Sequence, residues 1–346
     1  MRDSMDKKFV HKRFEYQVAR HPERPALVSD FGSVTYRNLD VLANRLAHLL
    51  HHLGCSKETI VAVNNGVGIH QVISLLGVFK AGGIYMPLDQ TFSEARMAHV
   101  YQSCAPKISL VDEGTFEQCT DQTRQHGQEG DLLIKLSAST DTIELEVFSY
   151  EGGSFKKQDV PEDVLSTDYL DIAQDGEDGC YIFFTSGSTG VPKAILGAHI
   201  SLAHFINWEI EEFEITEKDR VSQLTSVTFD AYLRDVFAPL CAGGTLCIPQ
   251  KETKEHLGRL VSWLDSSQVS IIHCVPSLFR LMIRELESAT SETLKFENLR
   301  EVLTSGEPLY GKDIQRWRAC VGTHPDGTHP DGTRAEVVNF YGPTET

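Results

Sequence analysis

Short apolar runs alternate with segments of helical periodicity along most of this chain, and no other feature restricts the fold as strongly. Apolar positions recur at helical spacing over Leu39–His52 and His70–Ala81, and Ile60–Val63 between them has a strand pattern. The alternation returns as Val221–Leu224, a helix over Asp230–Cys241, Thr245–Pro249, a helix near Leu257–Leu264, Val269–Val275 and a helix over Pro276–Glu287. Strands joined through helices of this length pair in parallel, since the crossover must carry the chain back to the same end of the sheet. Two such series predict an α/β fold of two stacked sheets, mixed or parallel, flanked by helices. The expected division is a first α/β subdomain over residues 1–178 and a second over 179–346.

Between the series, residues 112–178 are polar and acidic, interrupted by strand candidates such as Leu132–Lys135 and Ile143–Phe148. They predict a connecting region with a small β element and mobile loops. The duplicated Thr-His-Pro-Asp-Gly at 323–327 and 328–332 has turn chemistry, which favours a surface loop over a His/Asp metal site. With 346 residues, of which 41% are hydrophobic, the chain can bury a large core, which excludes a disordered or fibrous protein. A formal net charge of -17 repels phosphate backbones and anionic bilayers, so neither nucleic acid nor a membrane is expected as a partner. The eight cysteines show no CxxC spacing and read as reduced core thiols. Residues 1–20 are charged, and no stretch of 18 apolar residues occurs, so the expectation is a cytoplasmic protein.

The segment most informative about chemistry is Tyr181–Lys193, YIFFTSGSTGVPK. An apolar strand runs straight into a loop whose Gly187 and Gly190 let backbone amides approach an anion. Thr185, Ser186, Ser188 and Thr189 add hydroxyl donors there, and Lys193 adds a point charge. The composition also fits a flexible Ser/Gly turn, but the apolar lead-in and the stiff Pro192 exit favour a phosphate loop. It is not a Walker A loop, because Lys193 follows Gly190 after two residues and no Ser or Thr follows it. That argues against a P-loop kinase or GTPase.

TSGSTGVPK resembles the phosphate-loop signature of the adenylate-forming superfamily, which includes acyl-CoA synthetases, luciferases and nonribosomal peptide synthetase adenylation domains. Five further elements resemble that family in the same order. They are Val34–Leu39 (VTYRNL), Lys80–Asp89 (KAGGIYMPLD), Phe229-Asp230-Ala231, Thr304–Pro308 (TSGEP) and Asn339–Glu345 (NFYGPTE). Ala194 departs from the usual Gly after the Lys. The resemblance implies ATP and Mg2+ as cofactors. The loop hydroxyls and Lys193 would hold the β- and γ-phosphates, and Gly306, Glu307 and Pro308 would line the adenine pocket. Asn339, Tyr341 and Gly342 would join that pocket, with Tyr341 stacked on the base. Thr344 would contact the α-phosphate, and Glu345 would coordinate Mg2+.

By the same resemblance, Asp230 pairs with a substrate α-ammonium, which favours an amino acid over an acyl or aryl acid. As an acidic residue opening a helix it is also a natural N-terminal cap. The substrate pocket carried over residue by residue is Asp230, Ala231, Arg234, His273, Leu303, Ser305 and Phe340. An enclosed Arg234 needs a partner to offset desolvation. An acidic or strongly hydrogen-bonding substrate side chain would supply one, and so would Asp235 or a nearby Glu. The family's second half-reaction implies transfer to phosphopantetheine on a partner carrier protein within a multimodular synthetase. The sequence ends before the family's ribose-binding acid, hinge and Lys-bearing lid, so poor activity of this chain alone is expected. An acyl- or aryl-CoA ligase and a catalytically inert nucleotide-binding remnant remain the alternatives.

Overall fold

The computed structural model of the chain describes residues 8–340, apart from 30–31, 67, 90, 186–191, 289–293, 295 and 322–334. The Thr-His-Pro-Asp-Gly repeat therefore lies outside the described residues. The strands in chain order are β1 (Pro25–Ser29), β2 (Gly32–Thr35), β3 (Ile60–Asn64), β4 (Ile84–Pro87), β5 (Ile108–Val111), β6 (Leu132–Ala138), β7 (Ile143–Glu151) and β8 (Ser154–Gln158). They continue as β9 (Gly179–Thr185), β10 (Lys193–Ala198), β11 (Arg220–Ser222), β12 (Thr245–Ile248), β13 (Ile271–Cys274), β14 (Glu301–Ser305) and β15 (Glu336–Phe340). Six helices matter most for the site: α1 (Val10–Arg20), α2 (Tyr36–His52), α3 (Ile69–Lys80), α4 (His199–Glu212), α5 (Ala231–Ala242) and α6 (Pro276–Ser288).

One sheet has the order β15-β14-β13-β11-β12-β1-β2, parallel except for the β1–β2 hairpin. The other has the order β10-β9-β4-β3-β5-β6-β7-β8, parallel at its centre and antiparallel at both ends. The predicted two-sheet α/β architecture is thus present, but the sheets do not divide the chain at 178/179. β1 and β2 belong with the C-terminal series because β1 pairs with β12, Leu27 opposite Leu246. β9 and β10 belong with the N-terminal series because β9 pairs with β4 at Tyr85 and Tyr181. Residues 112–178 also depart from the connecting region that was expected. β6 pairs in parallel with β5, which lets Leu133, Ile134 and Leu136 be buried as a continuation of the sheet.

A single apolar cluster joins the sheets, running from Val61 and Leu110 on one to Leu27, Val221 and Leu303 on the other. Helices α3 and α5 meet within it, with the Phe79 and Phe237 rings stacked at 5.6 Å. Helix α5 is buried at every position from Tyr232 to Cys241. Its last carbonyls need a donor, since a helix end leaves them unsatisfied. Gln17 and Arg13 meet that need at the Cys241 carbonyl, at 2.9 and 3.1 Å, and just past the helix the Tyr36 hydroxyl donates to the Gly244 carbonyl at 2.8 Å. Lys80 is likewise committed inside the core, donating to Glu15 at 2.6 Å, Asp40 at 2.7 Å and Asn44 at 2.9 Å. Two of the sequence elements therefore carry residues whose work is structural. Among the described residues no helix is long and apolar enough to cross a membrane.

Two histidines are buried where α1, α3 and α4 meet. The His11 ring lies 5.4 Å from the His199 ring and 6.3 Å from Phe79. Burial, reinforced by His199, Lys12 and Lys80, holds the His11 pKa well below the imidazole range, and burial brings His199 down to about 4. The folded chain keeps both neutral, whereas the unfolded chain binds a proton at each below about pH 6.5. Stability should therefore fall as pH drops from about 6.5 to about 4, by up to about 1.4 kcal/mol per unit for each ring. Denaturant melts across this range should show that slope, and His11→Phe should flatten it. An unchanged slope in the variant would remove His11 from the account.

Candidate active site

The side chains carried over for the substrate pocket fall on one face of the parallel sheet, and strand parity explains why. Register pairs His273 with Leu303 and Ser305 with Phe340, and residues two apart on a strand share a face. Ile272, Cys274 and Val302 point the other way, into a second core cluster. These positions lie toward the C-terminal ends of β13, β14 and β15, where open α/β sheets place their ligands. Helix α5 packs on the same face. Asp230 caps it, accepting the Ala231 N–H at 2.8 Å, and Arg234 follows one turn later. Asp230 is thus a helix cap in this structure. Burial first, then Cys180 and Asp230, push the Tyr181 hydroxyl up to about 12.

Behind Asp230 lies a buried group of charges. Arg234 is 4% exposed, its Nε 4.0 Å from both Glu209 Oε1 and Asp235 Oδ1 and its guanidinium 5.6 Å from the Phe340 ring centre. Arg234 therefore has internal carboxylates beside it, at a distance too long for a hydrogen bond. His273 Nδ1 is 3.0 Å from Asp235 Oδ1, and its Nε2 is 3.0 Å from Glu209 Oε1 without hydrogen-bonding alignment. Burial and Arg234 disfavour a charged His273, yet Glu209 and Asp235 outweigh them and raise its pKa above the ordinary value. Asp235 Oδ2 also accepts the backbone N–H groups of Leu224 at 3.2 Å and Thr225 at 3.0 Å, so it fixes the loop after β11.

On the nucleotide side, Thr185 and Lys193 are cross-strand partners at the base of the β9–β10 hairpin. The loop residues Ser186, Gly187, Ser188, Thr189 and Gly190 lie outside the described residues, as do Tyr341, Gly342, Thr344 and Glu345. His99 Nε2 meets the Pro192 carbonyl at 2.9 Å and steadies the loop's exit. A cleft lined by Phe184 of β9, Asp89, Arg96, Thr228 and Phe229 brings the hairpin strand up to the turn that precedes Asp230. Gly306 takes a positive φ of 85°, open to a residue without a Cβ. Glu307 is turned to a neighbour, accepting the Ser277 N–H at 2.9 Å and its hydroxyl at 2.8 Å and pairing with Arg280 at 3.2 Å. The Pro308 carbonyl also accepts from Arg280, at 3.2 Å, so the TSGEP segment is tied to the start of α6. Asn339 Oδ1 accepts the Thr304 hydroxyl at 2.8 Å.

Sequence reasoning missed Glu209. It sits in an acidic run, which reads as solvated, but it occupies the apolar stripe of α4 formed by Leu202, Ala203, Ile206 and Ile210. That helical spacing was the available signal.

A family model described as "AMP-binding enzyme" matches residues 14–346. The chain belongs to the AMP-binding enzyme family. It is 28% identical over 336 residues to zwittermicin A synthase ZmaJ of Bacillus cereus, covering 97% of this chain and 57% of that protein. It is 29% identical over 352 residues to L-2-aminoadipate reductase of Saccharomyces cerevisiae, covering 97% of this chain and 24% of that one. Among solved structures, the nonribosomal peptide synthetase FmoA3 in its form with α-methyl-L-serine-AMP bound superposes with a TM-score of 0.78. Its identity is 26%, covering 98% of this chain and 33% of that one. The chain thus spans little more than half of the first relative and smaller fractions of the others.

In this member of the AMP-binding enzyme family Gly197 leaves room for Tyr181 across the β9–β10 hairpin, because a Cβ there would sit 1.9 Å from the ring. Gly197→Ala must displace the Tyr181 ring and should cost about 1–3 kcal/mol in denaturant unfolding. Wild-type stability in that variant would show that the ring moves without penalty.

Proposed function

We propose that this chain supplies the nucleotide- and amino-acid-binding core of an enzyme that activates an amino acid as its aminoacyl-AMP. The observation that carries this reading is that His273, Leu303, Ser305 and Phe340 share one sheet face, against which α5 brings Arg234 behind its cap Asp230, with the strand leading to Thr185 across a cleft from the turn before that cap. Asp230, partly exposed at the N-terminus of α5, offers a carboxylate to an α-ammonium group. An amino-acid carboxylate oxygen then attacks the α-phosphorus of ATP, forming the mixed anhydride as the bond to the β-phosphate breaks and pyrophosphate leaves. Chain groups act by positioning and charge neutralisation. Lys193 and the loop hydroxyls hold the outer phosphates, and Thr344 meets the α-phosphate. Tyr341, with Gly306, Pro308 and Gly342, forms the adenine site. Glu307, through Ser277 and Arg280, keeps that segment in place. Glu345 is the hard oxygen donor proposed for Mg2+, which neutralises phosphate charge when bound.

The proposed side chain of the substrate is acidic or strongly hydrogen-bonding. Arg234 Nε has no hydrogen bond in its buried position, and one relative is named for L-2-aminoadipate, an amino acid with a side-chain carboxylate. In the whole protein the aminoacyl group would pass to the thiol of a carrier's phosphopantetheine, with AMP leaving. The measurement is amino-acid-dependent ATP–pyrophosphate exchange on the full-length protein. One acidic or polar amino acid should dominate, and Asp230→Asn should lower its kcat/KM by about a hundredfold or more while the KM for ATP changes little. A preference for aliphatic amino acids would overturn the acidic pocket. Exchange that needs a fatty or aryl acid would overturn the amino-acid reading itself.

A further inference from the structure

Helix α4 brings a carboxylate to the pocket from outside the positions supplied by the family resemblance. Glu209 is fully buried, yet neither of its carboxylate oxygens has a hydrogen-bond partner. Two nitrogens beside it, Arg234 Nε at 4.0 Å and His273 Nε2 at 3.0 Å, are also buried and lack hydrogen bonds. Buried polar groups are nearly always satisfied, and three unsatisfied ones around one point mark a place that a polar ligand completes. These groups adjoin the candidate pocket, since Arg234 lies over Phe340 and His273 is the register partner of Leu303.

We propose that Glu209 is a positioning residue of the amino-acid pocket, holding Arg234 and His273 toward the side chain of the substrate. This rests on the amino-acid reading of the site. The other carboxylate, Asp235, is tied by the Leu224 and Thr225 amides and by His273 Nδ1, which leaves Glu209 as the adjustable member. Four charged or titratable groups face one another here, Glu209 from α4, Arg234 and Asp235 from α5 and His273 from β13, and buried Lys254, which donates to Gln223 at 2.8 Å, also interacts with Asp235. Two carboxylates and one guanidinium leave one negative charge in excess, which a protonated His273 cancels. By favouring that proton, Glu209 keeps both nitrogens of the ring as donors and keeps the pocket from repelling an acidic or acceptor side chain. The protonated form is populated at low pH and lost as pH rises through the raised folded pKa. Substrate affinity should therefore weaken on the alkaline side.

The test is pyrophosphate exchange on the full-length protein, with pH profiles for wild type, Glu209→Gln and Glu209→Ala. Glu209→Ala should raise the KM for the preferred amino acid at least about tenfold while the KM for ATP stays within about twofold. Glu209→Gln, which keeps the shape and removes the charge, should move the alkaline limb of the amino-acid kcat/KM profile down by about one pH unit. Should Glu209→Ala fail to fold, Glu209→Gln carries the test through its pH profile. If the wild-type protein exchanges with an amino acid and Glu209→Gln leaves the profile in place, the inference is overturned while the amino-acid reading stands. Equal rises in both KM values would also overturn it, by marking a structural role. If no amino acid supports exchange in the wild type, both readings fall together.

Discussion

The burial of helix α5 from all sides is the constraint on which the rest of the structure depends. Both sheets contribute to the core around it, through the stack of Phe79 on Phe237 and the apolar cluster that joins Val61 to Leu303. A helix enclosed in this way cannot shift without opening the core, since protein interiors are close-packed. Apart from Arg234 and Asp235, only its ends meet polar surroundings. Gln17 and Arg13 donate to the Cys241 carbonyl near the C-terminus, and Asp230 caps the N-terminus at the edge of the candidate pocket. The rigidity of the core thus becomes the placement of a single carboxylate.

Enclosure also forces a cost on the one cation that α5 carries inward. Arg234 is surrounded by Glu209, Asp235 and His273, all buried, and its nearest carboxylate contacts are 4.0 Å away. Close charges in a low-dielectric setting interact strongly, and incomplete pairing is expensive. A core selected for stability alone would do better with apolar residues at these places. Keeping four polar groups beside Phe340 and Leu303 is better understood as a demand of the proposed amino-acid pocket than of the fold.

Much of this was legible in the sequence. Helix and strand periodicity located the elements close to where they stand, because burial of one face imposes a period on the residues that form it. The order of short motifs pointed to the nucleotide and to Asp230. The assignment of strands to sheets was not legible. The expected division at 178/179 followed position along the chain, whereas β1 pairs with β12 and β9 with β4, since pairing follows which apolar surfaces can cover one another and not sequence proximity. Glu307 read as a nucleotide-pocket residue, and its link to Ser277 and Arg280 depends on how β14 lies beside α6.

By itself, the sequence determined the α/β class, the candidate phosphate loop between Thr185 and Lys193, and the residue types available to an amino-acid pocket. These follow from local chemistry: backbone freedom at glycine, hydroxyl donors, and the alternation of apolar positions. Tertiary structure alone decided that β1 and β2 join the far sheet, that Glu209 is buried against Arg234 and His273, and that the motif residues Tyr36 and Lys80 serve the core. In each case the deciding contact joins residues far apart in the chain. Their energies come from desolvation and packing, which no local stretch of sequence records.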